Sequence, residues 1–342
     1  MLQKMNVCGP LRHILIGFIA LSFIGLTGWS NVGAAEYTMK VGHATLKDAQ
    51  DELAILFAKE TERLSGGRIK APVYGASQLG NNPKMNKDVL SGVQEVLIQP
   101  ACFSVPYIPI LGVLDLPGLF PNRDVQAKVL SSDAVKPFQE AAQKRGLEIV
   151  AFFGGGFKIL ATTFPVKTAG DLKGHKIRVM QSPELVGQFK AFNAVGVPMP
   201  LGECYTAMQQ GVVEGFEGAA DVVRKFKLYE AGKYIANTYH GSLSSFVLVN
   251  KKWLDSLPED LQVAVRQAGK NAEGEALAIY KKHQLKAWDV MKTQKGVIAT
   301  EFPQAEREKL WELGEKSWNK IVENEEKAAV LAILKKAIDS NK

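Results

Sequence analysis

Residues 147–162 read LEIVAFFGGGFKILAT. Positions 147–153 are apolar but for Glu148, which predicts a strand buried on both faces. Positions 158–162 predict another strand. Gly154-Gly155-Gly156 between them lacks the Lys-Ser/Thr pair of a phosphate loop and the GxGxxG spacing of a dinucleotide site. The triplet therefore predicts a flexible crossing between two domains, and a chain of 342 residues has length for two.

Toward the N-terminus, residues 37–43 alternate polar and apolar and predict a first strand. Residues 47–65 predict a helix through Leu53, Leu56, Phe57 and Leu64, stopped by Gly66-Gly67. A strand at 68–74, a helix at 82–91 ending at Gly92, and a strand at 95–98 follow. This β-α-β-α-β order predicts a parallel sheet with helical crossovers. Residues 111–120, LGVLDLPGLF, predict a buried connection, and 125–145 a helix.

Toward the C-terminus the alternation restarts. A strand at 176–180 leads into a helix capped by Ser182-Pro183, with Leu185, Phe189 and Phe192 on one face. Helices are predicted at 203–210 and 219–228, and an apolar strand at 246–249. Ser256 and Glu259 have capping-box spacing and open a long helix reaching about Met291. A strand at 297–302 and two helices finish the chain. The pattern predicts an α/β, two-lobed clamshell whose long late helix spans the lobes. Residues 36–155 with about 244–283 make lobe I, and 156–243 with about 284–342 make lobe II. Such folds hold ligands between the lobes.

Hydrophobic residues make up 46% of the chain, charged residues 23% and aromatic residues 8%, which excludes a disordered tail, a collagen and a disulfide-dense miniprotein. The net charge of +7 is interspersed with acids and carries no arginine-rich helix, so nucleic acid is not expected. Residues 1–35 predict an export signal cut after Ala35. Lys4 and Arg12 precede an apolar core of about 13 residues, short of the ~20 that span a bilayer, and small residues follow. Cys102 and Cys204 then remain, and are expected as two buried free thiols. His43, His175, His240 and His283 form no HExxH or HxH pattern, and no GxSxG elbow or Walker loop occurs. Neither catalysis, nor a cofactor, nor a metal is expected.

The segment 170–220 carries the most information. It contains Asp171-Leu172-Lys173-Gly174, Lys176-Ile177-Arg178-Val179, Val197-Pro198-Met199-Pro200, and Gln209 through Gly215 with Glu203 and Tyr205 before it. Ser65-Gly66-Gly67-Arg68, Gln78-Leu79-Gly80, Leu114-Asp115-Leu116-Pro117 and Trp253 through Pro258 extend the pattern. Together they resemble the solute-binding proteins of tripartite ATP-independent periplasmic (TRAP) transporters, the DctP family, over essentially the whole exported chain.

The resemblance implies a periplasmic-binding-protein clamshell. It also implies a small organic acid as ligand, and small and large membrane subunits as partners of a monomeric periplasmic protein. Arg178 matches the family residue that forms the main salt bridge to the ligand carboxylate, a role suited to the planar guanidinium fork. Lys158 stands where many members carry a second ligand-binding Arg. Gly218 replaces an Asn that often helps hold the carboxylate, leaving only a backbone N–H to donate. Leu201 stands where sialic-acid binders carry Phe. The segment 99–103 lacks their charged groups, so a less charged first lobe and a different acid are implied. His43, Gln99, Phe103, Phe157 and Phe216 are further cleft candidates by position. Glu203 and Tyr205 are expected to support the helix start, and Glu217 to pair with Arg178 or Lys158. An exported enzyme acting on an organic acid and a ligand sensor docking on a receptor are the competing readings.

Overall fold

The computed structural model describes residues 35–322 and 324–342. Apart from Ala35, the predicted export signal lies outside the described residues. Strands β1 (Tyr37–Thr38) and β2 (Val41–Gly42) precede helix α1 (Ala49–Leu64), followed by β3 (Ile69–Lys70), β4 (Val73–Tyr74), α2 (Asn82–Ser91) and β5 (Val96–Pro100). β1 pairs β3, and β2 pairs both β4 and β5, all in parallel, as the alternation predicts. A 3₁₀ stretch, Pro109–Asp115, forms the buried connection. The helix predicted over 125–145 is two, α3 (Arg123–Leu130) and α4 (Lys136–Gln143). The break falls at Ser131-Ser132, where the Ser132 hydroxyl accepts from Ala134 N and Pro137 starts the second helix.

β6 (Leu147–Thr162) is one buried strand of 16 residues that continues through the glycine triplet, where its register against β11 shifts. The triplet is therefore an extended, hydrogen-bonded crossing rather than a loop. Close approach is the reason for the glycines. A Cβ on Gly154 would lie 2.7 Å from the Ala127 backbone, and one on Gly155, at φ +103°, would lie 2.8 Å from Leu277.

The chain continues through β7 (Lys176–Val179), α5 (Pro183–Ala191), β8 (Val195–Pro198), α6 (Cys204–Gln209), β9 (Gly215–Ala219), α7 (Ala220–Lys225), α8 (Leu228–Ala231) and β10 (Tyr234–Ala236). β11 (Ser242–Asn250), α9 (Lys251–Asp255), α10 (Glu259–Thr293), β12 (Ile298–Thr300), α11 (Gln304–Ile321) and α12 (Glu325–Asp339) complete it. The predicted capping box does not form. Pro258 precedes α10, and the Ser256 hydroxyl donates to Trp253 O instead.

The main sheet runs β4-β2-β5-β11-β6-β9-β7-β8. β6 pairs antiparallel with β11 along its first part and with β9 over Lys158–Thr162. One strand thus belongs to both ends of the sheet. Side chains alternate across it. Val96, Ile98, Val247 and Val249 join α1 and the first part of α10 on one face. Leu97, Phe246 and Leu248 join α3, α4 and α12 on the other. Cover on both faces explains why these strands read as unbroken apolar runs, each large side chain contributing about 1.5–3 kcal/mol on burial. At the other end Leu160, Val179 and Phe189 form a third cluster. Ile159, Phe216 and Trp288 form a fourth. α10 buries Leu261 and Val265 in the second cluster and Ala287, Trp288 and Met291 in the fourth, so one helix, about 52 Å long, serves both ends.

Candidate functional site

A cleft of about 560 Å³, counting its open mouth, lies where these two ends meet. From the first part of the chain it is lined by Ala44, Thr45, Asp48, Gln50, Asn82, Pro100 and Phe103. From the later part come Arg178, Met180, Leu201, Phe216, Gly218, Ala219, Asp221, Val222, Leu243 and, on α10, Tyr280. Of the residues singled out in the sequence, Arg178, Phe103, Leu201, Phe216 and Gly218 meet on this lining.

Arg178 is 1% exposed on β7. Its Nε donates to Met199 O at 2.9 Å and its Nη1 to Glu217 O at 3.3 Å, while Nη2 has no hydrogen bond. Among the described residues no carboxylate lies within 4 Å of it. Its guanidinium carbon sits 4.8 Å from the centre of the Phe216 ring. β7 and β9 place Arg178 beside Phe216 in register, so the stack follows from strand pairing. Gly218, two residues on, shares that face. A Cβ there would come within 2.6 Å of the Phe216 ring, so Phe216 occupies the space a side chain at 218 would need.

Four candidates stand behind the wall instead, and for each the reason is a partner in the fold. Lys158 is fully buried, its Nζ 3.5 Å from Asp115 Oδ1 and 3.7 Å from Glu217 Oε2. Burial pulls its pKa down, but Glu217 and Asp115 outweigh that and hold it above the ordinary lysine value. Asp115 is pushed up to about 7, by burial first and by Glu184 and Glu217 next, against the pull of Lys158. Two acids thus share one cation, and Asp115 takes the proton near neutrality. Glu217 Oε1 accepts from Met180 N at 3.1 Å. Glu217 therefore pairs with Lys158 through its side chain and meets Arg178 through its backbone only. His240, 4.0 Å from Glu217, is pulled down to about 3 by burial and Lys158 and stays neutral.

His43, fully buried, holds its Nε2 3.1 Å from Asp51 Oδ1 in the first turns of α1. Gln99 accepts from Asn82 Nδ2 at 2.9 Å and donates to Asn86 Oδ1 and Ser104 Oγ, so it orients Asn82 without reaching the cleft. Phe157 packs edge-on against Tyr239, with Arg123 over its ring.

Asn82, Asp48, Gln50, Asp221 and Tyr280 are cleft residues the sequence did not single out. Asp48 caps α1, accepting from Asp51 N at 2.9 Å and from Thr45 Oγ1 at 2.8 Å. Asp221 Oδ2 accepts from Ala49 N at 3.0 Å. Both carboxylates therefore sit at the positive end of one helix. Glu203 and Tyr205 lie off the lining, with Tyr205 donating to Glu230. Cys102 and Cys204 are free and buried. Among the described residues no cluster of three His, Cys, Asp or Glu is arranged for a metal, and no helix is long and apolar enough to cross a membrane.

Residues 41–325 match the family described as bacterial extracellular solute-binding protein, family 7 (DctP). The C4-dicarboxylate-binding periplasmic protein DctP of Rhodobacter capsulatus is 29% identical over 309 residues, 88% of this chain and 91% of its own. The 2,3-diketo-L-gulonate-binding periplasmic protein YiaO of Escherichia coli K12 is 28% identical over 275 residues, 80% of this chain and 84% of its own. A TRAP periplasmic solute-binding protein from Desulfovibrio salexigens, solved with orotic acid, superposes with a TM-score of 0.85 at 27% identity, covering 90% of this chain and 100% of that one.

Proposed function

The chain belongs to family 7 of the bacterial extracellular solute-binding proteins, the DctP-type binding components of TRAP transporters, and from that premise we propose that it captures a small organic acid at Arg178 and delivers it to small and large membrane subunits. The observation that carries the reading is the state of Arg178: buried, stacked on Phe216, without an acid partner, and with Nη2 unbonded on a cleft wall. A buried cation is expensive unless something negative compensates it. A ligand carboxylate supplies that charge in the fork geometry guanidinium favours.

In this reading residues 1–35 direct export and are removed, and the monomeric product works in the periplasm, where the curated relatives work. The lobes divide at the middle of β6 and close on the ligand. Phe103, Leu201 and Phe216 wall the acid in. Gly218 offers only its N–H, and Lys158 acts through Glu217 on the strand pair that carries Arg178. The protein binds its acid without converting it. The relatives are named for a dicarboxylate and for a sugar acid, so carboxylate capture is the shared chemistry.

Calorimetric titration of a panel of organic acids tests the reading. Arg178→Ala is expected to weaken the best ligand at least ~30-fold, since loss of one partner of a desolvated charge pair costs about 2–5 kcal/mol. Arg178→Lys falls between the two. Wild-type affinity in a folded Arg178→Ala protein removes the carboxylate anchor.

A further inference from the structure

The cleft lining is not uniformly basic. Asp221 is 2% exposed, and its Oδ1 is buried without a hydrogen-bond partner. Asp48 is also 2% exposed, and its hydrogen bonds from Thr45 Oγ1 and Asp51 N both fall on Oδ1. Among the described residues no Lys, Arg or His lies within 4 Å of either carboxylate. Gln50 Nε2, on the same lining, is likewise buried and unpartnered. All three residues line the cleft, so a bound molecule can supply the missing partners.

The acids are separated from Arg178 along the sheet. Phe216, its register partner, and Ala219, the last residue of β9, are three residues apart, about 10 Å of strand at ~3.3 Å per residue. Asp221 follows in the first turn of α7. One functional group of a small molecule therefore meets Arg178 and a different one meets the acids.

We propose that Asp48 and Asp221 form a donor-seeking subsite, so that the ligand is a carboxylate whose far end carries hydroxyl or ammonium groups and not a second carboxylate. The proposal rests on the organic-acid reading above and narrows it. A far carboxylate would meet two acids with no cation in ion-pair contact, whereas a hydroxyl or ammonium donates to Asp221 Oδ1 and Asp48 Oδ2. Burial, and for Asp48 the neighbouring Asp221, pushes both acids above the usual carboxylate range, Asp48 to about 6. His43 pulls on Asp48 and His283 on Asp221 from beyond 4 Å, and burial outweighs both. Gln50 Nε2 donates to a ligand oxygen beside them, which suits a hydroxyl, since it both gives and accepts.

Matched probes test this with the full exported chain. At four and six carbons, the ω-hydroxy and ω-amino monocarboxylates are titrated against the dicarboxylate of equal length, together with galactonate against galactarate. The wild type is expected to prefer the donor-ended member of each pair at least ~10-fold. Asp48→Asn/Asp221→Asn, which keeps acceptors for Ala49 N and Asp51 N, is expected to shrink that preference below ~3-fold while Arg178→Ala weakens every probe alike. Equal binding within the pairs, or a preference unchanged in the double Asn variant, overturns the subsite and leaves the Arg178 reading standing. Failure of every probe to bind overturns that reading itself.

Discussion

Arg178 and Lys158 are both buried cations, twenty residues apart, on strands that flank β9. Lys158 has two carboxylates within 4 Å, and Arg178 has none among the described residues. Glu217 touches both, giving its side chain to the lysine and its backbone oxygen to the arginine. A cation that the fold has already neutralised stabilises the fold. One that the fold has stacked on a ring and hydrogen-bonded to carbonyls, but left without counter-charge, is the one we propose takes an anion from outside.

The contrast breaks most visibly at Lys158. Lys158→Met leaves Glu217 buried without its cation and should cost about 3–5 kcal/mol of stability. Lys158→Met/Glu217→Gln should recover most of it in thermal and denaturant unfolding. If Lys158→Met instead melts like wild type and loses ligand affinity, the two cations have the same job. Arg178→Ala shows the opposite pattern: the loss of affinity given above, with the ligand-free melting temperature nearly kept, because a costly unpaired charge leaves together with its two hydrogen bonds.

Gly218 comes next. Gly218→Asn installs the side chain that the family resemblance implies but drives a Cβ into the Phe216 ring, an overpacking cost of about 1–3 kcal/mol. Adding Phe216→Ala should recover stability and make the Asn available to the ligand, which calorimetry would read. A Gly218→Asn protein as stable as the parent would show that the ring is not what excludes a side chain there.

The smallest effect is a slope. Asp115 holds its proton up to about pH 7 when folded, against the ordinary carboxylate range near 4 when unfolded. Its contribution to stability is therefore complete below about pH 4, is lost as pH rises from there to about 7, and changes no further above that. Asp115→Asn removes that loss, so its stability relative to wild type should climb between about pH 4 and 7 by at most ~1.4 kcal/mol per pH unit and level off above about 7. A difference that stays flat means that Asp115 is ionised beside Lys158 throughout.

Periodicity and caps made the N-terminal helices legible: Asn82–Ser91 and the core of α1 stand where the sequence places them. The long helix was readable because Leu261, Ala264, Val265 and Ala268 repeat at helical spacing. The glycine triplet misled because a strand interior seldom tolerates three glycines. What demands them, the approach of Ala127 and Leu277, lies far along the chain. That Arg178 stands on the cleft lining was legible through the words around it. That Lys158 faces Asp115 was not, since 43 residues and a 3₁₀ stretch separate them. Asp48 looks like any helix cap, and Asp221 like any first-turn acid. Only the fold puts them at one helix end beside an open cavity.

The two free thiols give the cleft a gauge of its own. Cys102 Sγ lies 3.5 Å from Met180 Sδ, on the reverse of a residue that lines the cleft, and burial pushes the Cys102 thiol well above its ordinary pKa. Under the opening and closing proposed above, an alkylating reagent is expected to reach that sulfur only in the open form. The labelling rate of Cys102 would then clock how often the cleft opens, and a molecule bridging its walls should slow that clock without touching the sulfur.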